Sequence, residues 1–170
     1  MAVYDITAII SSFVFFLPAY VANTGAGFFG GGAPVDRGKT LWDGRRVFGD
    51  GKTLRGTIGG VFSGTLYIVV ENLYFSRPLS TNLIIAFTLA FGAIFGDLIG
   101  SFIKRRIDIG SGESAPFLDQ LDFAIFALFL ASFIVPLSAE TVIILLLITP
   151  IGHLGMNITG FLLHKKEVPW

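Results

Sequence analysis

Between residues 96 and 122 the chain brings together the groups that phosphate chemistry needs. Asp97, Ser101, Lys104 and Arg105 follow one another at helical spacing. At about 100° per residue they fall within roughly a quarter of a helix's circumference, so a carboxylate, a hydroxyl and two cations line one stripe. After Asp108, a Gly110-Ser111-Gly112 turn and Pro116 come Asp119 and Asp122, three residues apart on the first turn of the next apolar segment. A single acid there is explained by the helix dipole, worth roughly 0.3–1 kcal/mol. Two on one face, with Asp97 opposite and cations alongside, fit that explanation less well. Clustered carboxylates repel unless a cation lies between them, and Mg²⁺ takes carboxylate and phosphate oxygens together. The residues therefore read as a Mg²⁺–phosphate site.

A second group of cations lies upstream. Residues 27–56 hold Arg37, Lys39, Arg45, Arg46, Lys52 and Arg55 in a glycine-rich stretch. Gly38-Lys39-Thr40 and Gly51-Lys52-Thr53 both resemble the end of a phosphate-binding P-loop. That pattern needs a glycine five residues earlier and a hydrophobic strand before it. Ala33 and Arg46 stand at those positions and no such strand precedes either, so neither is a Walker motif. What remains is a basic loop suited to an anionic ligand, or to orientation and anionic headgroups at a membrane surface.

The elements that must hold these groups are apolar. Of 170 residues 53% are hydrophobic and 14% charged, against about 25% charged in an ordinary soluble domain. Mean hydropathy is +0.75. No charge occurs in 6–35, 56–70, 78–96, 123–139 or 141–164. Blocks of that kind, several near the roughly 18–20 residues that cross hydrocarbon, read as membrane spans. The expected fold is all-α and integral to the membrane, one domain of five transmembrane helices at about 6–26, 57–75, 82–103, 123–137 and 141–163. The absence of cysteine excludes a disulfide scaffold, and the start of the chain lacks the basic region and cleavage site of a signal peptide. Two long cytoplasmic loops, 27–56 and 104–122, then share one side with the C-terminal tail. That side carries eleven of the twelve basic residues, Arg77 being the exception. The positive-inside rule puts the N-terminus outside and the C-terminus and both loops in the cytoplasm.

Other features have structural readings. Glycines at 56, 60 and 64, and at 92, 96 and 100, let helices pack closely within the monomer. Pro18, Pro136 and Pro150 kink or end helices, and Glu71 sits near the outer boundary. Ser101 bonds either a phosphate or its own helix's carbonyl four residues back. Asp36 and Asp43 make turns with neighbouring glycines, or else contact a nucleoside. His153, Asn157 and His164 share one side of the last span, either bonding a neighbouring helix or lining a headgroup groove.

The string Gly96-Asp97-Leu98-x-x-Ser101-x-x-Lys104-Arg105, ending in Asp119-x-x-Asp122 before an apolar span, resembles the CDP-diacylglycerol synthase signature. The chain is most similar to the short archaeal CDP-archaeol synthase branch. Asn23, Gly30-Gly31-Gly32-x-Pro34-x-Asp36-x-Gly38, Asp43-Gly44-Arg45, Gly49-x-x-Lys52-Thr53-x-x-Gly56, Pro116-x-x-Asp119-Gln120-x-Asp122 and Lys166-x-x-Pro169-Trp170 carry the likeness. It departs from the bacterial enzymes in Gln120, in Gly100 and in a missing His-Gly-Gly. The resemblance implies transfer of a cytidylyl group from CTP to 2,3-bis-O-geranylgeranyl-sn-glycerol 1-phosphate, releasing pyrophosphate. It implies CTP, an isoprenoid glycerol phosphate lipid and the bilayer as partners, Mg²⁺ as cofactor and no nucleic acid. Asp97, Asp119 and Asp122 would bind the metal, with Lys104 beside them in the catalytic group. Arg45, Lys52, Thr53, Ser101, Arg105 and Asn157 would bind substrate.

Two other classes use similar groups. A CTP-dependent polyprenol or phytol-type lipid kinase would transfer the γ-phosphate instead. A small non-enzymatic transporter would place its polar residues near mid-bilayer, whereas these carboxylates gather at one boundary.

Overall fold

The computed structural model describes residues 6–75, 79–113, 115 and 117–162, with the backbone alone at 74, 75, 79–81, 156, 157, 159, 160 and 162. Arg77, Pro116, His164, Lys166, Pro169 and Trp170 lie outside the described residues, as does the side chain of Asn157. The described residues form five helices and no strand longer than an isolated bridge: α1 Ile6–Phe28, α2 Leu54–Phe75, α3 Leu79–Arg106, α4 Leu118–Ala131 and α5 Ala139–Leu162.

The all-helical expectation holds, with shifted ends. α3 runs on to Arg106 because Lys104, Arg105 and Arg106 favour the negative end of the helix dipole. α4 takes in Asp119 and Asp122 but stops at Ala131, six residues short of the expected 137. The Ser132 hydroxyl donates to the Phe129 carbonyl at 2.7 Å, and Pro136 disfavours a helical residue before it. Two helical segments, Ile6–Phe28 and Asn82–Arg106, are long and apolar enough to cross a membrane. α2 is diluted by glycine, Arg55 and Glu71, and α4 has only 14 residues.

Small residues make the core. Ala19, Ala22, Ala90, Ala93, Ala124 and Ala127 are fully buried, with Phe16, Leu89, Phe123 and Leu145 filling the gaps. Such residues let backbones approach closely where the solvent is lipid and apolar burial gives little drive. Gly64 leaves no space for a Cβ against the Pro18 carbonyl, Ala22 and Ala90, and Gly92 none against the Ala127 backbone. Both glycine series thus lie in seams within the monomer, α1–α2–α3 and α3–α4. Pro18 and Pro150 lie inside α1 and α5.

The loop from 29 to 53 is organised around Asp36. This carboxylate is 6% exposed. It accepts from the amides of Gly38, Phe48 and Gly49 at 3.1, 2.9 and 3.0 Å and from Arg46 Nη2 at 2.6 Å. Arg46 also pairs with Asp50 at 2.8 Å. Burial alone would raise the Asp36 pKa, but Arg46 and the three amides outweigh it and hold the carboxyl well below the usual carboxylate range. Since the folded value lies below the unfolded one of about 3.9, the stabilisation is complete above that pH and fades only as pH falls through the folded value. Asp36→Asn is accordingly expected to cost about 3 kcal/mol at pH 7. Thermal unfolding in detergent would give it, and an unchanged midpoint would contradict this role. Asp36 is therefore a turn and loop anchor, the first of the two readings of it above.

Candidate active site

Four helices bring their ends, and α5 an interior residue, to one cavity of about 510 Å³. Asn23, Ala26 and Gly27 come from the end of α1, Lys52, Thr53, Gly56 and Thr57 from the start of α2. Asp97, Ser101, Lys104 and Arg105 come from the end of α3, Asp119 and Gln120 from the start of α4, and His153 from α5. The stripe read from helical spacing on α3 thus faces one space. Ser111, Gly112 and Glu113 close it from the second loop, Phe48 and Gly51 from the first.

The start of α2 gives the Gly51-Lys52-Thr53 triplet a use that needs no P-loop. Thr53 precedes the helix and its Oγ1 accepts from the Gly56 amide at 3.1 Å, capping the first turn. A capped helix N-terminus on a cavity wall, next to a lysine, favours anions. The Leu54 amide donates to the Ala33 carbonyl and the Val35 amide to the Lys52 carbonyl, at 3.0 and 2.8 Å. These two bonds hold the turn against the base of the loop.

Two lysines are paired with carboxylates across element boundaries. Lys52 Nζ lies 2.6 and 2.7 Å from the two oxygens of Asp97. Lys104 Nζ lies 2.9 and 3.2 Å from those of Asp119 and 2.6 Å from the Glu113 carbonyl. Asp119 also turns back to accept from the Ala115 amide at 2.8 Å, at an α4 start whose N-cap residue Phe117 supplies no side-chain cap. Arg105 differs. It is 8% exposed and forms no ion pair among the described residues. Its Nη2 donates to the Gly110 carbonyl at 2.9 Å, while Nε is buried with no partner. A buried guanidinium on a cavity wall, with no carboxylate to neutralise it among the described residues, is strongly biased toward an anion.

The remaining expected site residues are placed as follows. Ser101 has no hydrogen bond to its own helix among the described residues, and its side chain lines the cavity. Asp122 does not line it. Asp122 is 7% exposed, its Oδ1 accepting from the Phe123 amide at 2.6 Å and its Oδ2 lying where a Cβ on residue 100 would stand. Three residues on from Asp119 is about 60° further round the helix, enough to turn the side chain into the α3–α4 seam. Gly100 makes the room for it. Arg45 is also absent from the cavity wall. It donates to the carbonyls of Arg106 and Arg105 at 2.6 and 3.4 Å and pairs with Asp108 at 3.2 Å. Sequence could not separate an arginine for phosphate from one for carbonyls. Asp43 accepts from the Arg45 amide at 3.1 Å, the turn role again.

Among the described residues no three His, Cys, Asp or Glu side chains stand close enough together to hold a metal ion. The expected Asp97–Asp119–Asp122 ligand set is thus not assembled, because Lys52 and Lys104 hold the first two and Gly100 houses the third. The donor chemistry nonetheless fits Mg²⁺. That ion is usually held by one or two carboxylates with substrate phosphates completing the set. Asp97 and Asp119 are two such carboxylates on one cavity, and each already clasps a cationic head between its oxygens.

Reasoning from sequence singled out no function for Glu113 or Ser111. Their only signal was membership of a long loop beside charged helix ends.

Fold and cavity together give an all-helical chain with lysine and arginine side chains gathered around a cavity at one end of the bundle. The chain belongs to the CarS-like CDP-archaeol synthase family, whose model matches residues 3–170. It is 45% identical to a CDP-archaeol synthase of Methanococcus aeolicus, over 95% of this chain and 97% of that one. It is 46% identical to one from Thermococcus onnurineus, over 98% and 99%. A solved structure described as an intramembrane enzyme for archaeal membrane lipids biosynthesis superposes with a TM-score of 0.81 at 36% identity, covering 88% of this chain and 94% of that one.

Proposed function

We propose that this chain is a CTP-dependent lipid-phosphate cytidylyltransferase acting on an unsaturated archaeal ether lipid phosphate, 2,3-bis-O-geranylgeranyl-sn-glycerol 1-phosphate. The observation that carries the reading is Arg105: a buried guanidinium, without a carboxylate partner among the described residues, on the wall of a cavity that also holds two lysines and a helix N-terminus. That is a site for polyphosphate in a chain whose relatives are CDP-archaeol synthases.

A lipid phosphate oxygen attacks the α-phosphorus of CTP in line. A new P–O bond forms, the bond to the β-phosphate's bridging oxygen breaks, and its electron pair leaves on pyrophosphate. The nucleophile is already an anion at neutral pH, so no strong base is required. The difficulty is to bring two polyanions together and to stabilise the leaving group, which fixed cations do. Lys104, Arg105 and Lys52 hold phosphates, with Ser101 and Thr53 alongside. Asp97 and Asp119 would hold Mg²⁺, while Asp122, buried in the α3–α4 seam, stands behind them at the same end of α4. When bound, the metal neutralises phosphate charge and supports departure of pyrophosphate. His153, on the cavity wall from α5, meets the lipid headgroup's approach.

In the membrane the chain makes five passes. The N-terminus is outside, and both long loops, the C-terminus and the cavity are at the cytoplasmic face. The eleven basic residues on that side support this orientation.

The test is purified protein in lipid or detergent with [α-³²P]CTP and the isoprenoid glycerol phosphate, with Mg²⁺ or with EDTA. Label should enter the lipid fraction only when Mg²⁺ is present. Label entering lipid from [γ-³²P]CTP instead would make the protein a kinase, and none from either would mean that it does no chemistry on CTP.

A further inference from the structure

Arg45 and Arg106 reach past each other. Arg45 comes from a hairpin in the first loop, where the Leu41 amide donates to the Arg45 carbonyl at 2.9 Å and the Val47 amide to that of Lys39 at 3.1 Å. Its guanidinium binds the last two carbonyls of α3 and Asp108. Arg106 extends the other way. Its Nη1 lies 3.0 Å from Asp43 and its Nη2 2.5 Å from the Arg46 carbonyl, with the guanidinium 5.1 Å from the Phe102 ring centre. Arg46 is in turn fixed to Asp36. The hairpin is therefore tied to α3 in both directions and anchored behind to the buried centre of its own loop.

This contact falls where alignment matters most. The final carbonyls of a helix lack partners and carry the negative end of its dipole. Here they belong to Arg105 and Arg106, beside the two α3 cations that face the cavity. Left bare, that turn frays and its negative end opposes incoming phosphates. A guanidinium fork spans two carbonyls and a carboxylate at once, which an ammonium cannot do.

We infer that Arg45 is a positioning residue for the cytidylyl transfer: with Asp43 and Arg106 it forms a two-way clamp that fixes the last turn of α3, and so the direction of Lys104 and Arg105. This rests on the reading of Arg105 as a phosphate-binding group.

The clamp and a direct phosphate contact differ in what they change. Initial binding of a flexible triphosphate tolerates small displacements of a cation, whereas in-line transfer does not, and a shift of about 1 Å can cost about 100-fold. Arg45→Ala should lower kcat by about 10- to 100-fold with the CTP Kd in Mg²⁺, read by calorimetry, changed less than about threefold. Arg45→Lys should recover little of it. Asp43→Ala removes the other half of the clamp and touches nothing on the cavity wall, so it should lower kcat alone, by about tenfold. The double variant should lose clearly less than the product of the two, since groups acting as one unit are not additive. The Asp43 arm also keeps the test open if Arg45→Ala does not fold, which size-exclusion in detergent reports. An Arg45→Ala protein whose Kd rises as far as that of Arg105→Ala with kcat intact overturns the clamp, as does an Asp43→Ala protein of normal kcat or fully multiplicative losses. An unchanged Kd in Arg105→Ala overturns the underlying phosphate reading, and the clamp's purpose with it.

Discussion

Asp119→Asn is expected to reduce cytidylyl transfer by about 10³-fold or more in a protein that still folds. Both halves follow from what Asp119 touches. An asparagine oxygen can still accept from the Ala115 amide, so the bond at the start of α4 survives. Lys104 keeps the Glu113 carbonyl at 2.6 Å, so the buried ammonium is not stranded. Only the negative charge is lost. That charge now balances Lys104 and, in the proposed reaction, holds Mg²⁺ as phosphates arrive. Asp97→Asn should behave alike through Lys52. The measurement is label transfer from [α-³²P]CTP to lipid at saturating Mg²⁺, beside a thermal unfolding curve for each variant. A variant with a normal unfolding midpoint and a tenth or more of normal turnover would remove its residue from the metal site. Loss of turnover with a collapsed midpoint would instead make the Lys104–Asp119 pair a structural tie.

Sequence revealed most where the physics is local. Charge-free blocks located the helices because a segment in hydrocarbon must be apolar whatever it packs against. The α3 stripe was legible because helical spacing alone puts Asp97, Ser101, Lys104 and Arg105 on one side, and all four do line the cavity. Spacing failed where an outcome depends on a neighbouring element. Asp119 and Asp122 share a helix turn, but the space at Gly100 turns Asp122 into a seam. Arg45 sits in a cationic run suited to phosphate, yet its partners are carbonyls 60 and 61 residues away. The pairing of Lys52 with Asp97 and Lys104 with Asp119 was equally hidden, since like-with-unlike charge matching leaves no periodic trace. Gly51-Lys52-Thr53 falls between these cases. The missing strand correctly excluded a P-loop, while the helix that follows still delivers an anion-favouring N-terminus to the cavity.

The seam between α3 and α4 should be as sensitive as the site it aligns, and Gly96→Ala tests it with one methyl group. A Cβ at Gly96 would lie 2.5 Å from the Asp122 carbonyl, 2.8 Å from Phe126 Cβ and 2.9 Å from Phe123 Cα. Two of these are backbone atoms, so no rotamer change relieves the clash and the helices must separate. Overpacking of this kind costs about 1–3 kcal/mol. The functional cost should be larger in proportion. Asp97 follows Gly96 directly, and the Lys104–Asp119 pair bridges the same two helices further along. Moving α3 from α4 by a fraction of an ångström shifts cations on one wall relative to carboxylates on the other. Turnover should fall by about 100-fold, beyond what partial unfolding explains at a temperature well below the midpoint. Gly152→Ala is the control. It lies in α5 with nothing within 4 Å of an added Cβ, so stability and turnover should be kept. A Gly96→Ala protein with normal turnover would mean that the site tolerates a looser seam, and that close packing of α3 on α4 serves stability alone.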